Sequence, residues 1–174
     1  MTRRLPDFLS CNQLVKVRSP FRESPISAST RSMKIYQHQK DINGCGIACL
    51  ANLLQKDYSL VKKDFEKKFY PITRGVNVAD MVRFLKLHNL DYTSKFFNQK
   101  SYDAKEARKY STLPHSITLV AKSEKYPIGH YLLKVGDGWV DPWYNLPSID
   151  AVHASVRKKL PGNAWYVLYP THTR

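Results

Sequence analysis

Cys45 opens the apolar run Gly46-Ile47-Ala48-Cys49-Leu50-Ala51-Asn52-Leu53-Leu54, which reads as a helix with a thiol at its first position. A helix N-terminus presents unpaired backbone N–H groups and the positive end of the helix dipole, so an anion is stabilised there and a cysteine pKa falls. Such a thiol becomes a nucleophile when a histidine reaches it. Far downstream, Gly129-His130-Tyr131-Leu132-Leu133-Lys134-Val135 reads as a strand that begins with a histidine, and Gly138-Trp139-Val140-Asp141-Pro142 as its hairpin partner ending in an acid. Nucleophile, base and orienting carboxylate are all present, in that chain order. The plain alternative is that Cys45 and Cys49 are small buried helix residues, since free cysteine is among the most buried side chains.

Gln39 lies six residues before Cys45, and the stretch that follows is Cys45-Gly46-Ile47-Ala48-Cys49-Leu50. With His130 opening an apolar strand and Asp141-Pro142 after it, this pattern resembles the papain-like peptidases that process bacteriocin precursors after a double-glycine leader. The resemblance covers residues 33 to 170. It implies an α+β, papain-like fold in which an N-terminal helical lobe carrying the cysteine packs on a C-terminal antiparallel sheet carrying the histidine. It further implies a Cys45-His130-Asp141 triad, Gln39 as oxyanion donor, and cleavage after small residues such as Gly-Gly. No cofactor is implied.

The chain departs from the family at two places. An acid usually stands directly before the cysteine, whereas here Gly44 does and the nearest acid is Asp41. The interval from His130 to Asp141 is also short. If Asp137-Gly138 forms a two-residue turn, antiparallel counting sets His130 opposite Asn145 and Asp141 opposite Lys134, so Asn145 is a rival for the orienting role. Gln37 is the alternative oxyanion donor. His115, before the Ile117 strand, competes with His130 as base, although an exposed loop position suits it better. His88 falls on an apolar helix face and is expected to pack there. Cys45-x-x-x-Cys49 lacks a second close pair of Cys or His, so no metal site is expected.

These residues need elements to carry them. Ser59 reads as the N-cap of a helix over 60–69, with Val61, Phe65 and Phe69 on one face. Asn77 opens a second helix with Asp80 in a capping-box-like position, followed by Val78, Met81, Phe84 and Leu85 at helical spacing. A strand is expected over 91–97, a short polar helix over 103–110, strands over 116–121 and 165–169, and a helix over 148–159. Helices first and sheet second is an α+β order.

The 174 residues, 43% hydrophobic, suffice for one sizeable core, read as a catalytic domain over 33–174. Residues 1–32 hold six basic and two acidic residues among scattered Ser, Thr and Pro, and read as a disordered extension. Its apolar stretches are too short for a secretory signal; a transit peptide, a specialised secretion signal or a dispensable stretch before Met33 are the readings left. No apolar run approaches the roughly 18 residues of a membrane span, so a free-standing domain is expected. Three cysteines, two of them one helical turn apart, suit a reducing compartment, cytoplasmic unless the chain is exported.

The net charge of +14 would favour an acidic partner or an anionic surface. Lys62, Lys63, Lys67, Lys68 and Arg157, Lys158, Lys159 read as solvated helix faces. Nucleic acid is not expected, because no aromatics interleave with the basic residues as a recognisable module requires. Three functions stay open on these grounds: a peptidase acting on a peptide or protein; a deamidase or acyl transferase using the same triad on a partner's side-chain amide; and a silent peptide-binding module.

Overall fold

The computed structural model describes residues 35–171. The expected extension over 1–32, and with it Cys11, lies outside the described residues. Helices α1 (Cys45–Leu54), α2 (Tyr58–Lys68) and α3 (Val78–Leu87) precede β1 (Tyr92–Phe96) and α4 (Ala104–Ser111). Strands β2 (Ile117–Val120), β3 (His130–Val135), β4 (Gly138–Asp141), β5 (Ser155–Arg157) and β6 (Ala164–Pro170) follow. All six strands form one antiparallel sheet in the order β1-β6-β2-β3-β4-β5. The architecture is α+β, with the helices that precede the sheet packed against it, as the element order led one to expect.

Helix α1 is apolar all round because it is enclosed all round. Ile47, Ala48, Leu50 and Ala51 have no exposed surface, and they share one core with Val61 and Phe65 of α2, Met81, Phe84 and Leu85 of α3, and Ile117, Tyr131, Leu133, Val140 and Leu168 of the sheet. Each of the larger of these side chains stabilises the fold by roughly 1.5–3 kcal/mol on burial. The opposite face of the sheet is covered too. Val120, Leu132 and Trp139 pack with Tyr126, while Val167 and Ala164 meet Ala107 of α4. Double coverage explains why β2 and β4 are buried along their whole length instead of alternating.

Caps fix the helix starts. The Asn77 side chain accepts from the Asp80 N–H as expected. At α2 the cap is Asp57 rather than Ser59: its carboxylate accepts from the N–H groups of Ser59 and Leu60, and a charged acceptor at a helix N-terminus outcompetes a hydroxyl two residues further on.

The helix expected over 148–159 does not form. Ile149 is 70% and Val156 41% exposed, so no apolar surface awaits a helix face there, whereas the outer edge of β4 needs a partner. Residues 155–157 supply it as β5, with Val156 opposite Val140 and Ser155 opposite Asp141. The hairpin turn also falls one residue earlier than expected. Val135 pairs with Gly138 and Leu133 with Val140, so Asp141 sits two residues nearer to His130 along the ladder than the Asp137-Gly138 turn would put it. None of the helices among the described residues is long and apolar enough to cross a membrane.

Candidate active site

Three elements converge where α1 begins. Asn52 of α1 clamps the preceding chain: its amide accepts from the Gln37 N–H at 2.8 Å and donates to the Gln37 carbonyl at 2.9 Å. Two residues on, the Gln39 N–H donates to the Pro142 carbonyl at 3.2 Å. The chain before Cys45 is thereby fastened to the end of β4.

The approach to α1 explains Gly44. Tyr58, 1% exposed, points its hydroxyl at this turn and donates to Asp41 Oδ2 at 2.7 Å, while Lys62 holds Oδ1 at 2.8 Å. A Cβ on residue 44 would stand 2.1 Å from the Tyr58 hydroxyl and 3.0 Å from the Asp41 carbonyl. Any side chain at position 44 would have to displace the Tyr58 hydroxyl, and the carboxylate of this turn belongs to Asp41. Burial of Asp41 opposes its charge, but the Lys62 and Tyr58 bonds prevail and hold its pKa below the ordinary value. Gly129 answers a related demand before β3: its φ is +86°, and a Cβ would meet the Val120 carbonyl at 3.0 Å.

Cys45 is 8% exposed, His130 4% and Asp141 not at all. His130 Nε2 and Asp141 Oδ1 are 2.7 Å apart. Asp141 Oδ1 also accepts from the Trp143 N–H at 2.9 Å, and Oδ2 from Arg157 Nε at 2.5 Å. With Nε2 committed to the carboxylate, Nδ1 is the imidazole nitrogen left for the Cys45 thiol. The Tyr126 ring lies flat on His130, with centroids 4.7 Å apart and planes inclined by 4°.

The charges follow from these neighbours. Burial works against a Cys45 thiolate, yet the His130 hydrogen bond and charge, helped by the N–H groups of Tyr131 and Gly46, hold the thiol pKa below its ordinary value. Burial equally disfavours imidazolium, but Asp141 and Cys45 together raise His130 to about 9. Asp141 is lowered: desolvation opposes its ionisation and is outweighed by His130, Arg157 and the Trp143 N–H. Cys49 contrasts with Cys45, since its burial, with Cys45 and Asp141 nearby, drives its pKa well up.

Other residues singled out in the sequence stand elsewhere. Asn145 donates to the Ala151 carbonyl at 2.9 Å and accepts from the His153 N–H at 3.2 Å, so its amide ties the loop after β4 together. His115 is exposed, with φ +61°. His88 meets Phe84 edge to face and lies 3.1 Å from Asp64 Oδ2. Gln37 contributes its backbone to the Asn52 clamp. Gln39 is buried, but Nε2 donates to the carbonyls of Asp41 at 2.9 Å and Ile42 at 3.0 Å, while Oε1 is enclosed without a partner. Its two N–H groups are spent on the turn before Cys45, which differs from the expectation of a free oxyanion donor.

Two side chains of the site escaped the sequence reading. The basic triplet 157–159 reads in the sequence as a solvated helix face, yet Arg157 is a strand residue bonded to Asp141. Tyr126 sits in a loop with no pattern to mark it.

A cleft of about 470 Å³ opens beside Cys45. Gly75, Val76, Leu119, Gly129 and Trp165 are among its walls, and Arg74 is the one charged side chain lining it among the described residues. At a helix N-terminus the chain has, then, a thiol beside an imidazole that is itself bonded to a carboxylate, with an open cleft next to them.

No family model and no curated protein matches this chain. Solved structures similar to it include the peptidase domain of Streptococcus ComA, a bifunctional ABC transporter involved in a quorum-sensing pathway, with TM-score 0.49 and 18% identity over 78% of this chain and 96% of that one. A double glycine motif protease from an AMS/PCAT transporter, in complex with the leader peptide, has TM-score 0.49 and 16% identity over 80% of this chain and 96% of its own. The peptidase domain of Streptococcus mutans ComA has TM-score 0.43 and 15% identity, over 78% and 97% of the respective chains.

Proposed function

We propose that this protein is a cysteine peptidase in which Cys45 is the nucleophile, His130 the general acid–base and Asp141 the residue that orients the imidazole. The observation that carries this reading is the Asp141–His130 bond of 2.7 Å, behind a thiol whose pKa is held down by that same histidine. The thiolate attacks the carbonyl carbon of a peptide lying in the cleft, and the electron pair of the C=O bond moves onto oxygen. The Cys45 N–H at the start of α1 is placed to donate to that oxyanion. Gln39 joins it only by releasing its Nε2 from the Asp41 or Ile42 carbonyl, and each such donor is worth about 3 kcal/mol in the transition state. His130 then passes its Nδ1 proton to the leaving amine, and water hydrolyses the thioester.

The sequence resemblance favours a substrate with Gly-Gly-like small residues before the scissile bond. A cleft with glycines at positions 75 and 129 and Arg74 as its charged side chain favours a peptide that also carries a carboxylate, in keeping with the net charge of +14. The chemistry needs a reduced Cys45 and hence a reducing compartment. The test is cleavage of peptides containing Gly-Gly, followed by mass spectrometry, with wild type and Cys45→Ala compared. New termini formed by wild type alone support the reading. Ammonia release with the backbone intact would assign the site to side-chain amides, and full activity in a folded Cys45→Ala protein would sink it.

A further inference from the structure

The geometry points to Arg157 as a positioning residue that fixes the rotation of the Asp141 carboxylate and so aims His130 at Cys45. This rests on the catalytic reading of Cys45, His130 and Asp141 and extends their line by a fourth member.

Asp141 is fully buried, so each of its oxygens needs a donor. Oδ1 has two, His130 Nε2 and the Trp143 N–H. Oδ2 has Arg157 Nε at 2.5 Å. The guanidinium is in turn immobilised: one terminal nitrogen donates to the Tyr144 carbonyl at 2.8 Å, and the group lies 4.2 Å from the Tyr144 ring centroid. Its side chain is 20% exposed. The three donors together fix the carboxylate plane, with one oxygen facing the imidazole and the other the guanidinium. The other titratable groups bearing on Asp141 are Tyr126 over the imidazole and Cys49 of α1.

Without Arg157, Oδ2 is a buried anionic oxygen with no partner. The carboxylate then rotates toward water or takes up a proton, and either change loosens its hold on His130. The short edge strand β5 delivers this side chain because Ser155 pairs with Asp141 and Arg157 lies two residues beyond.

The experiment is the pH dependence of iodoacetamide alkylation at Cys45, resolved by mass spectrometry, in the full chain with thermal melts alongside. The variants are Arg157→Gln, Arg157→Lys, Asp141→Asn and the double Asp141→Asn/Arg157→Gln. We expect Arg157→Gln to move the acid limb up by about one pH unit, a roughly tenfold loss of rate on that limb. Arg157→Lys, which keeps the charge but not the fork or the Tyr144 stacking, moves it by less. In the Asp141→Asn background, removing Arg157 moves the limb no further, because the two act through one bond.

A wild-type limb in Arg157→Gln together with a lowered Tm would overturn the inference and leave Arg157 a tie for the edge strand. Should Arg157→Gln fail to fold, Arg157→Lys decides: a raised limb supports the role, an unmoved one refutes it. A wild-type Cys45 that itself titrates as an ordinary thiol overturns the catalytic reading and this inference with it, an outcome distinct from a failure of Arg157 alone.

Discussion

Replacing Asp141 by asparagine conserves shape and removes one charge, and the structure says why this small change should be severe. The carboxylate faces donors on both sides: His130 Nε2 and the Trp143 N–H at Oδ1, and Arg157 Nε at Oδ2. An asparagine must turn its NH₂ to one side. Placed at Oδ1, it confronts the Trp143 N–H and forces His130 Nε2 to become an acceptor, so that Nδ1 carries the proton and cannot take one from Cys45. Placed at Oδ2, it confronts a guanidinium that never deprotonates. One buried donor is unsatisfied either way, at a cost of about 2 kcal/mol, and Tm falls by about 5–10 °C; because an unpaired guanidinium costs more than an unpaired backbone N–H, the NH₂ settles at the Oδ1 side and the tautomer inverts. The wrong imidazole tautomer costs about 10⁴-fold in kcat where it has been isolated in a triad of this type. The assays are a thermal melt and single-turnover peptide cleavage at saturating enzyme. A folded Asp141→Asn protein that retains kcat within tenfold of wild type would refute the orienting role.

Gly44→Ala should destabilise the protein by about 1–3 kcal/mol, measured by urea denaturation, because the new methyl collides with the Tyr58 hydroxyl at 2.1 Å; an unchanged midpoint would contradict this. Paired with Tyr58→Phe, the loss should shrink. Arg74→Glu should raise KM for a carboxylate-bearing peptide about tenfold while sparing its glutamine analogue, and equal effects on both would remove Arg74 from recognition. Cys49→Ala should leave kcat within about twofold, since this buried thiol is held protonated. In pH profiles kcat/KM should fall as pH rises through about 9, the value to which His130 is raised. The sign for stability is the same: a histidine raised above 6.5 stabilises the fold fully at lower pH and loses that contribution through about 9. Stability that rises across that range would contradict the Asp141 pairing.

Helix α1 and strands β2, β3, β4 and β6 were legible because their apolar runs are long and their turn residues plain. Asn77 was legible because its cap is local. The stretch 148–159 misled because Ile149, Val152 and Val156 recur at helical spacing, whereas the unpaired edge of β4, a tertiary demand, decides its conformation. Arg157 was unreadable for the same reason: its role depends on the pairing of Ser155 with Asp141, and a basic triplet carries no sign of that. Asn145 was a rival only through a turn misplaced by one residue. Gln39 shows a different limit, since the resemblance singled it out but carries no sign of the two carbonyls that occupy its amide.

The most direct test of the central claim is the rate of Cys45 alkylation against pH in wild type and in His130→Ala. Cys45 is expected to react rapidly near neutral pH in wild type, with Cys49 silent, and removal of His130 to shift its limb up toward the ordinary thiol range near pH 8.5. A wild-type Cys45 that already titrates in that range, unchanged in His130→Ala, would contradict the thiolate–imidazolium pair and the peptidase chemistry built on it.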